Sequence, residues 1–245
     1  MRGYEESAHL YDVFDTKQNV EFFFRYGARA GDVLDVGAGT GRVAIPLAAQ
    51  DVRVTCIEPS PAMCHQFREK LQQLPQLGER IELVPGDAAS FDLERVFPMA
   101  FLSGAFDHFL DREERLASLR NIVRHLEPGG TLLFDVFLGL METSPLSPAG
   151  RFQSEDREIQ RFVARRVLPG RRVRVDLVFE IYRRGAFVER IEEASIVGIT
   201  TREEVHELLG QADCAVRREF SDYDLTPFRE GDDLLIVEAT YHPSA

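Results

Sequence analysis

The fourteen residues Asp32-Val-Leu-Asp-Val-Gly-Ala-Gly-Thr-Gly-Arg-Val-Ala-Ile45 constrain this chain most. Val33 to Val36 read as a short apolar strand broken only by Asp35. Glycines follow at alternate positions, Gly37, Gly39 and Gly41, and the run Val43-Ala-Ile-Pro-Leu-Ala-Ala49 fits the first turns of a helix. Pro46 is tolerated there because it lies near the helix start, where a missing N–H matters little. A strand, a glycine turn and a helix start predict a ligand site. Backbone N–H groups are expected to face the ligand, and no Cβ blocks its approach.

The spacing excludes two familiar phosphate sites. A dinucleotide turn wants G-x-G-x-x-G, and Arg42 occupies the slot of its third glycine. A P-loop needs a lysine after G-x-x-x-x-G, and none follows here.

The string Asp35-Val-Gly-Ala-Gly-Thr-Gly41 resembles motif I of the class I S-adenosylmethionine-dependent methyltransferases. The resemblance implies an α/β, Rossmann-like fold, with a seven-stranded sheet whose last strand is antiparallel. It also implies S-adenosyl-L-methionine as cofactor, with the glycine turn of Gly37, Ala38, Gly39 and Gly41 beneath its methionine and ribose parts. Asp35 would hold that turn or meet the cofactor's amino group.

Four later stretches extend the resemblance. Val52-Arg-Val-Thr-Cys-Ile57 reads as a second strand ending on Glu58, nineteen residues after Gly39. A strand-end acid at that spacing suits both ribose hydroxyls, with Pro59 beside it; the plainer alternative is an exposed carboxylate. Ile81-Glu-Leu-Val84 ends in Pro85-Gly-Asp-Ala88, where Asp87 and Ala88 resemble the adenine-binding pair, or form an ordinary aspartate turn. Met99-Ala-Phe-Leu102 is a fourth strand followed by Ser103-Gly-Ala-Phe-Asp-His-Phe109, which in the family lies against the cofactor. Leu126-Glu-Pro-Gly-Gly-Thr-Leu-Leu-Phe-Asp-Val-Phe137 resembles the family's helix–PGG–strand passage.

Catalytic expectations rest on Tyr11 and His108. Tyr11, in Leu10-Tyr-Asp-Val-Phe14, resembles a tyrosine carried over the cofactor by an N-terminal segment. A histidine titrates near neutrality and can take the proton an acceptor amine or hydroxyl loses. His108 is equally read as a hydrogen-bonded structural histidine. No N/D-P-P-Y/F string and no Pro-Cys nucleophile is present.

Local signals mark the remaining elements. Asp15 or Thr16 caps a helix carrying Val20, Phe23 and Phe24, with Gly27 at its end. Its aromatic stripe is read as packing on the sheet. Ser60-Pro61 starts a helix, and Asp111-Arg-Glu-Glu114 and Thr200-Thr-Arg-Glu-Glu204 read as capping boxes. Residues 139–150 read as a Pro/Ser/Gly loop. Ile159–Leu168, Val173–Tyr182 and Phe187–Ile199 then alternate as an antiparallel meander, turning at Pro169-Gly170 and Gly185-Ala186. Val216–Phe220 and Leu234–Tyr241 are the last strands, joined by a polar connection expected near the site's rim. The domain reading is a single domain over 1–245, with an N-terminal helical lid over 1–30 and an inserted β cap over 139–199. That inserted sheet serves equally as a dimerisation surface.

Composition narrows the partners. A net charge of −12 disfavours nucleic acid, although six arginines between Arg161 and Arg174 make the meander locally basic. No eighteen-residue apolar run points to a membrane span. The N-terminus is polar and acidic, and Cys56, Cys64 and Cys214 read as free thiols in the cytoplasm. The expected reaction is methyl transfer to a small polar metabolite, an amine above all. A tRNA or protein methyltransferase, or a non-catalytic cofactor binder, is the alternative.

Overall fold

The computed structural model describes residues 4–14, 18–138 and 142–243. The helix cap expected at Asp15 or Thr16, and residues 139–141 of the expected loop, lie outside the described residues.

In chain order the elements are α1 (Gln18–Ala30), β1 (Asp32–Val36), α2 (Ala44–Ala48), β2 (Arg53–Glu58), α3 (Pro61–Gln72), β3 (Ile81–Pro85), β4 (Phe97–Leu102), α4 (Arg112–Val123) and β5 (Leu126–Phe137). Then come β6 (Ser144–Gln153), β7 (Arg157–Leu168), β8 (Arg172–Arg183), β9 (Ala186–Gly198), α5 (Arg202–Gln211), β10 (Cys214–Phe220) and β11 (Leu234–Tyr241). A 3-10 segment, Ala8–Phe14, precedes α1.

Seven strands form one sheet in the order β10-β11-β5-β4-β1-β2-β3. β1, β2, β3, β4 and β5 run parallel, and β11 is antiparallel to both neighbours. This is the expected α/β sheet with its reversed last strand. The chain changes direction across the sheet between β1 and β4, which opens a crevice at their C-terminal ends.

Alternation along β1 sends Leu34 and Val36 to one face and Val33 to the other. The first face buries Leu119 and Ile122 of α4 with Leu208 and Leu209 of α5. The second buries Phe22 and Phe23 of α1, Leu47 of α2 and Phe67 of α3. Three helix starts follow the sequence rule. Ser60, Asp111 and Thr201 accept from the N–H groups of Met63, Glu114 and Glu204 at 3.3, 3.0 and 3.2 Å. Among the described residues no helix is long and apolar enough to cross a membrane.

Gly27 does not end α1. The helix continues to Ala30, and a Cβ on Gly27 would stand 2.8 Å from Leu47. Gly27 is there to let α1 approach α2, and Gly31, at φ +74°, follows the last turn.

The inserted sheet has the order β6-β7-β8-β9, all antiparallel. Most of the stretch read as a loop is its edge strand, β6. Pro145 and Pro148 mask it in sequence, because proline cannot donate to a ladder. An edge strand needs only one side paired, and the β6–β7 register shifts at both prolines absorb the missing donors. Leu10 packs with Ile159, Phe179, Ile181 and Ile191 in a separate small core, so the 3-10 segment is held against this sheet. The Glu193 carboxylate of β9 also accepts from the backbone N–H groups of Glu6 and Ser7, at 2.9 and 3.2 Å.

Two glycines of the first turn separate conformation from packing. Gly39 has φ +58° and open space where a Cβ would stand; Gly41 has φ +81°, and its Cβ would enter the Phe67 ring. Gly39→Ala is expected to cost about 1 kcal/mol, for left-handed backbone alone. Gly41→Ala is expected to cost about 3 kcal/mol, because overpacking adds to it. Urea unfolding of the two variants checks this order.

Candidate active site

The glycine turn provides room rather than donors. The N–H groups of Gly37 and Ala38 both donate to Ile57 O, at 2.8 and 3.1 Å, continuing the β1–β2 ladder. Gly41 N–H donates to Ala38 O at 2.9 Å, and Gly39 N–H donates to Glu58 Oε2 at 2.8 Å. Hence the expectation that these N–H groups face a ligand is corrected: each already has a partner. The helix start is likewise a weak anion site, because α2 spans only five residues.

Glu58 is the centre of the arrangement. It lies at the C-terminal end of β2 and is 1% exposed. Its Oε1 accepts from Ser60 N–H at 2.8 Å while Oε2 holds Gly39. Burial raises its pKa, and these two hydrogen bonds oppose the rise. Each carboxylate oxygen keeps a lone pair for a hydroxyl of a ligand.

Two adjoining pockets share Gly37, Ala105 and His108; Glu58 lines one, and its chain neighbours Ile57 and Pro59 line the other. One has apolar walls from Val36, Ile57 and Phe109, with Pro59, Asp87 and Ala88 at its side. The other is bounded by Tyr11, Gly39, Glu58, Ser103 and Met63. Asp87 Oδ1 accepts from Ala89 N–H at 2.9 Å in a tight turn, and Ser103 Oγ accepts from Asn19 Nδ2 at 3.3 Å. Tyr11 Oη accepts from Arg42 at 3.3 Å, and the Arg42 guanidinium stacks 4.7 Å from the Tyr11 ring centre.

Asp35, Ala38 and Gly41 line neither pocket. Ala38 and Gly41 belong to the turn itself. Asp35 sits behind it, 2% exposed, with no hydrogen-bond partner for Oδ2 among the described residues. Burial first, and repulsion from Glu58 second, push its pKa up to about 7, against the pull of Arg42. A carboxyl raised in the folded state stabilises fully below its unfolded pKa and loses that contribution as pH rises through the folded value. Asp35→Asn is therefore expected to gain stability relative to wild type as pH rises from 4 to 8. Urea unfolding across that range checks the slope.

His108 is half-buried in the 3-10 turn after β4, and its ring has no hydrogen bond among the described residues. Burial lowers its pKa to about 4, so the ring is neutral at pH 7. The Tyr4 ring meets it edge-on, with centres 6.3 Å apart.

A third cavity of about 430 Å³ lies between the large sheet, the segment 4–14 and the inserted sheet. It shares Tyr4, Tyr11 and Gly104 with the pocket beside Glu58. His108 does not line it; Arg42, Asp135, Arg161 and Tyr223 do. Asp135, at the end of β5, accepts from Gly104 N–H at 2.5 Å and from Tyr223 O–H at 2.7 Å. Sequence reasoning missed these groups. The available signals were an isolated acid in the apolar run Thr131–Phe137 and the polar connection that carries Tyr223.

Residues 33–130 match the family model described as Methyltransferase domain. The cypemycin N-terminal methyltransferase of a Streptomyces species is 33% identical over 104 residues, 42% of this chain and 40% of that protein. An uncharacterized methyltransferase of Bacillus cytotoxicus is 28% identical over 142 residues, 54% of this chain and 64% of that protein. The matches thus span between two fifths and two thirds of these curated relatives. Among solved structures, the CcbJ methyltransferase from Streptomyces caelestis superposes with TM-score 0.80 at 20% identity, covering 99% of both chains. CalS10, an amino pentose methyltransferase solved with S-adenosylmethionine bound, gives 0.73 at 22% identity, over 95% of this chain and 94% of that one. Residues 33–130 are thus similar to a methyltransferase domain, and the chain has the fold of the S-adenosylmethionine-dependent methyltransferases.

Proposed function

We propose that this protein transfers a methyl group from S-adenosylmethionine to the amine nitrogen of a small polar metabolite. One observation carries the reading. A buried carboxylate with a free lone pair on each oxygen lines a pocket that adjoins an apolar slot and shares Tyr4, Tyr11 and Gly104 with a larger chamber. The residues present fit the cofactor. Glu58 suits the ribose hydroxyls, and the apolar slot suits a purine, with Asp87, Ala88 and Pro59 at its side. Gly39 leaves open space on the methionine side, where Gly37, Ser103 and Tyr11 also lie. Asp35, Ala38 and Gly41 contribute by holding the turn.

When bound, the cofactor supplies an already activated, electrophilic methyl group. The protein's task is then to align a nucleophile, exclude water and remove a proton. We assign alignment to Tyr11, because it lines both the cofactor-side pocket and the chamber. Tyr4, half-buried and bordering both spaces, excludes water with it. For His108 we favour a wall position beside the cofactor, since it lines both cofactor-side pockets and its basicity at pH 7 is low. The amine reading is supported by two of the similar proteins, an amino pentose methyltransferase and an N-terminal methyltransferase. A peptide α-amine is the second reading, favoured by the latter.

Isothermal titration with S-adenosylhomocysteine tests the cofactor assignment. Wild type is expected to bind in the micromolar range. Glu58→Ala is expected to bind about tenfold more weakly or worse, as fits loss of hydrogen bonds to a charged group. No binding by folded wild type sinks the reading.

A further inference from the structure

The chamber holds a carboxylate that the cofactor reading does not use. Asp135 is 3% exposed and lines the chamber. Its Oδ1 is bound to Gly104, and Gly104 borders both the chamber and the pocket beside Glu58. The carboxylate therefore stands against Gly104, part of the boundary that the two spaces share. Gly104 N–H and Tyr223 O–H take one lone pair from each oxygen and leave one on each. His108 offers no such group to the chamber.

Resting on the proposed amine methylation, we infer that Asp135, oriented by Tyr223, is the group that receives the acceptor as an ammonium ion and takes its proton. An alkylammonium ion has no lone pair. On transfer, one N–H bond breaks, its electron pair stays on nitrogen, and an O–H bond forms on Asp135. Ammonium and carboxylate thus become neutral amine and carboxylic acid, with charge and atoms balanced. The freed lone pair then lies on the chamber's side of the boundary shared with the cofactor-side pocket. Burial raises the Asp135 pKa, while the Tyr223 and Gly104 hydrogen bonds oppose the rise, which brings the carboxyl closer to an amine in proton affinity.

The other charged groups near Asp135 set the sign of its pH response. Tyr223 reaches it from the β10–β11 connection, Asp107 from the turn after β4, and Arg42 from the glycine turn. Tyr4 and Arg161 face the same chamber from the lid and the inserted sheet. The Asp107 carboxyl is pushed up to about 7, chiefly by burial. Because Asp107 titrates nearby, the test depends on variants of Asp135 and Tyr223 rather than on a pH profile alone.

The experiment uses protein saturated with S-adenosylhomocysteine and propylammonium chloride as the probe, with 1-propanol as its uncharged counterpart. The Gly104 amide resonance reports occupancy. Wild type is expected to bind propylammonium about tenfold more tightly than 1-propanol, and to lose that preference as pH falls and Asp135 protonates. Asp135→Asn is expected to lose the preference and its pH dependence while still binding S-adenosylhomocysteine. Tyr223→Phe removes a donor to the carboxylate, so the loss is expected at higher pH than in wild type. An unchanged preference in Asp135→Asn, an unmoved midpoint in Tyr223→Phe, or no binding of the probe by wild type overturns the inference. Wild type that fails to bind S-adenosylhomocysteine overturns the methyltransferase reading beneath it; normal binding with an unchanged Asp135→Asn overturns this inference alone.

Discussion

The buried Glu58 carboxylate at the end of β2 ties the glycine turn to the start of α3. One oxygen fixes Gly39 in the middle of the glycine turn, and the other fixes Ser60 at the start of α3. Burying an anion is costly unless its lone pairs are used, and two backbone donors offset only part of that cost. The remaining lone pairs are the chemical opportunity. Glu58 both shapes the turn that leaves space for a ligand and presents the acceptors that would hold it. Asp35, directly behind, is driven toward the protonated form by its burial first and by the Glu58 charge second.

The second constraint is the joining of segment 4–14 to the inserted sheet. Leu10 fills the small core of that sheet, and Glu193 captures the backbone of Glu6 and Ser7. The segment that carries Tyr4 and Tyr11 along the pocket beside Glu58 thereby also walls the chamber. Chamber chemistry is mixed in sign, with Asp135 facing a space that Arg42 and Arg161 also enter.

What the sequence disclosed is what local rules govern. Helix caps are set by partners three residues apart, and Ser60, Asp111 and Thr201 all act as their spacing implies. The glycine turn and the acid nineteen residues on place Gly39 and Glu58 in direct contact. Legibility failed where partners are distant or where a residue type misleads. Pro145 and Pro148 hid edge strand β6, and Gly27 looked like a helix end although its small size serves contact with Leu47. Tyr223 and Asp135 lie 88 residues apart, so nothing local couples them. The turn's N–H groups were misjudged for a related reason. Gly37 and Ala38 donate to Ile57 O of the neighbouring strand, and only the β1–β2 pairing reveals that partner.

The most direct measurement is a crystal structure of the protein grown with S-adenosylhomocysteine. The ribose hydroxyls are expected on the Glu58 carboxylate, and the sulfur beside Tyr4, Tyr11 and Gly104, on the side of the chamber that contains Asp135. Ligand density away from Glu58, or a sulfur turned from those three residues, contradicts the assignment of the two spaces to cofactor and acceptor.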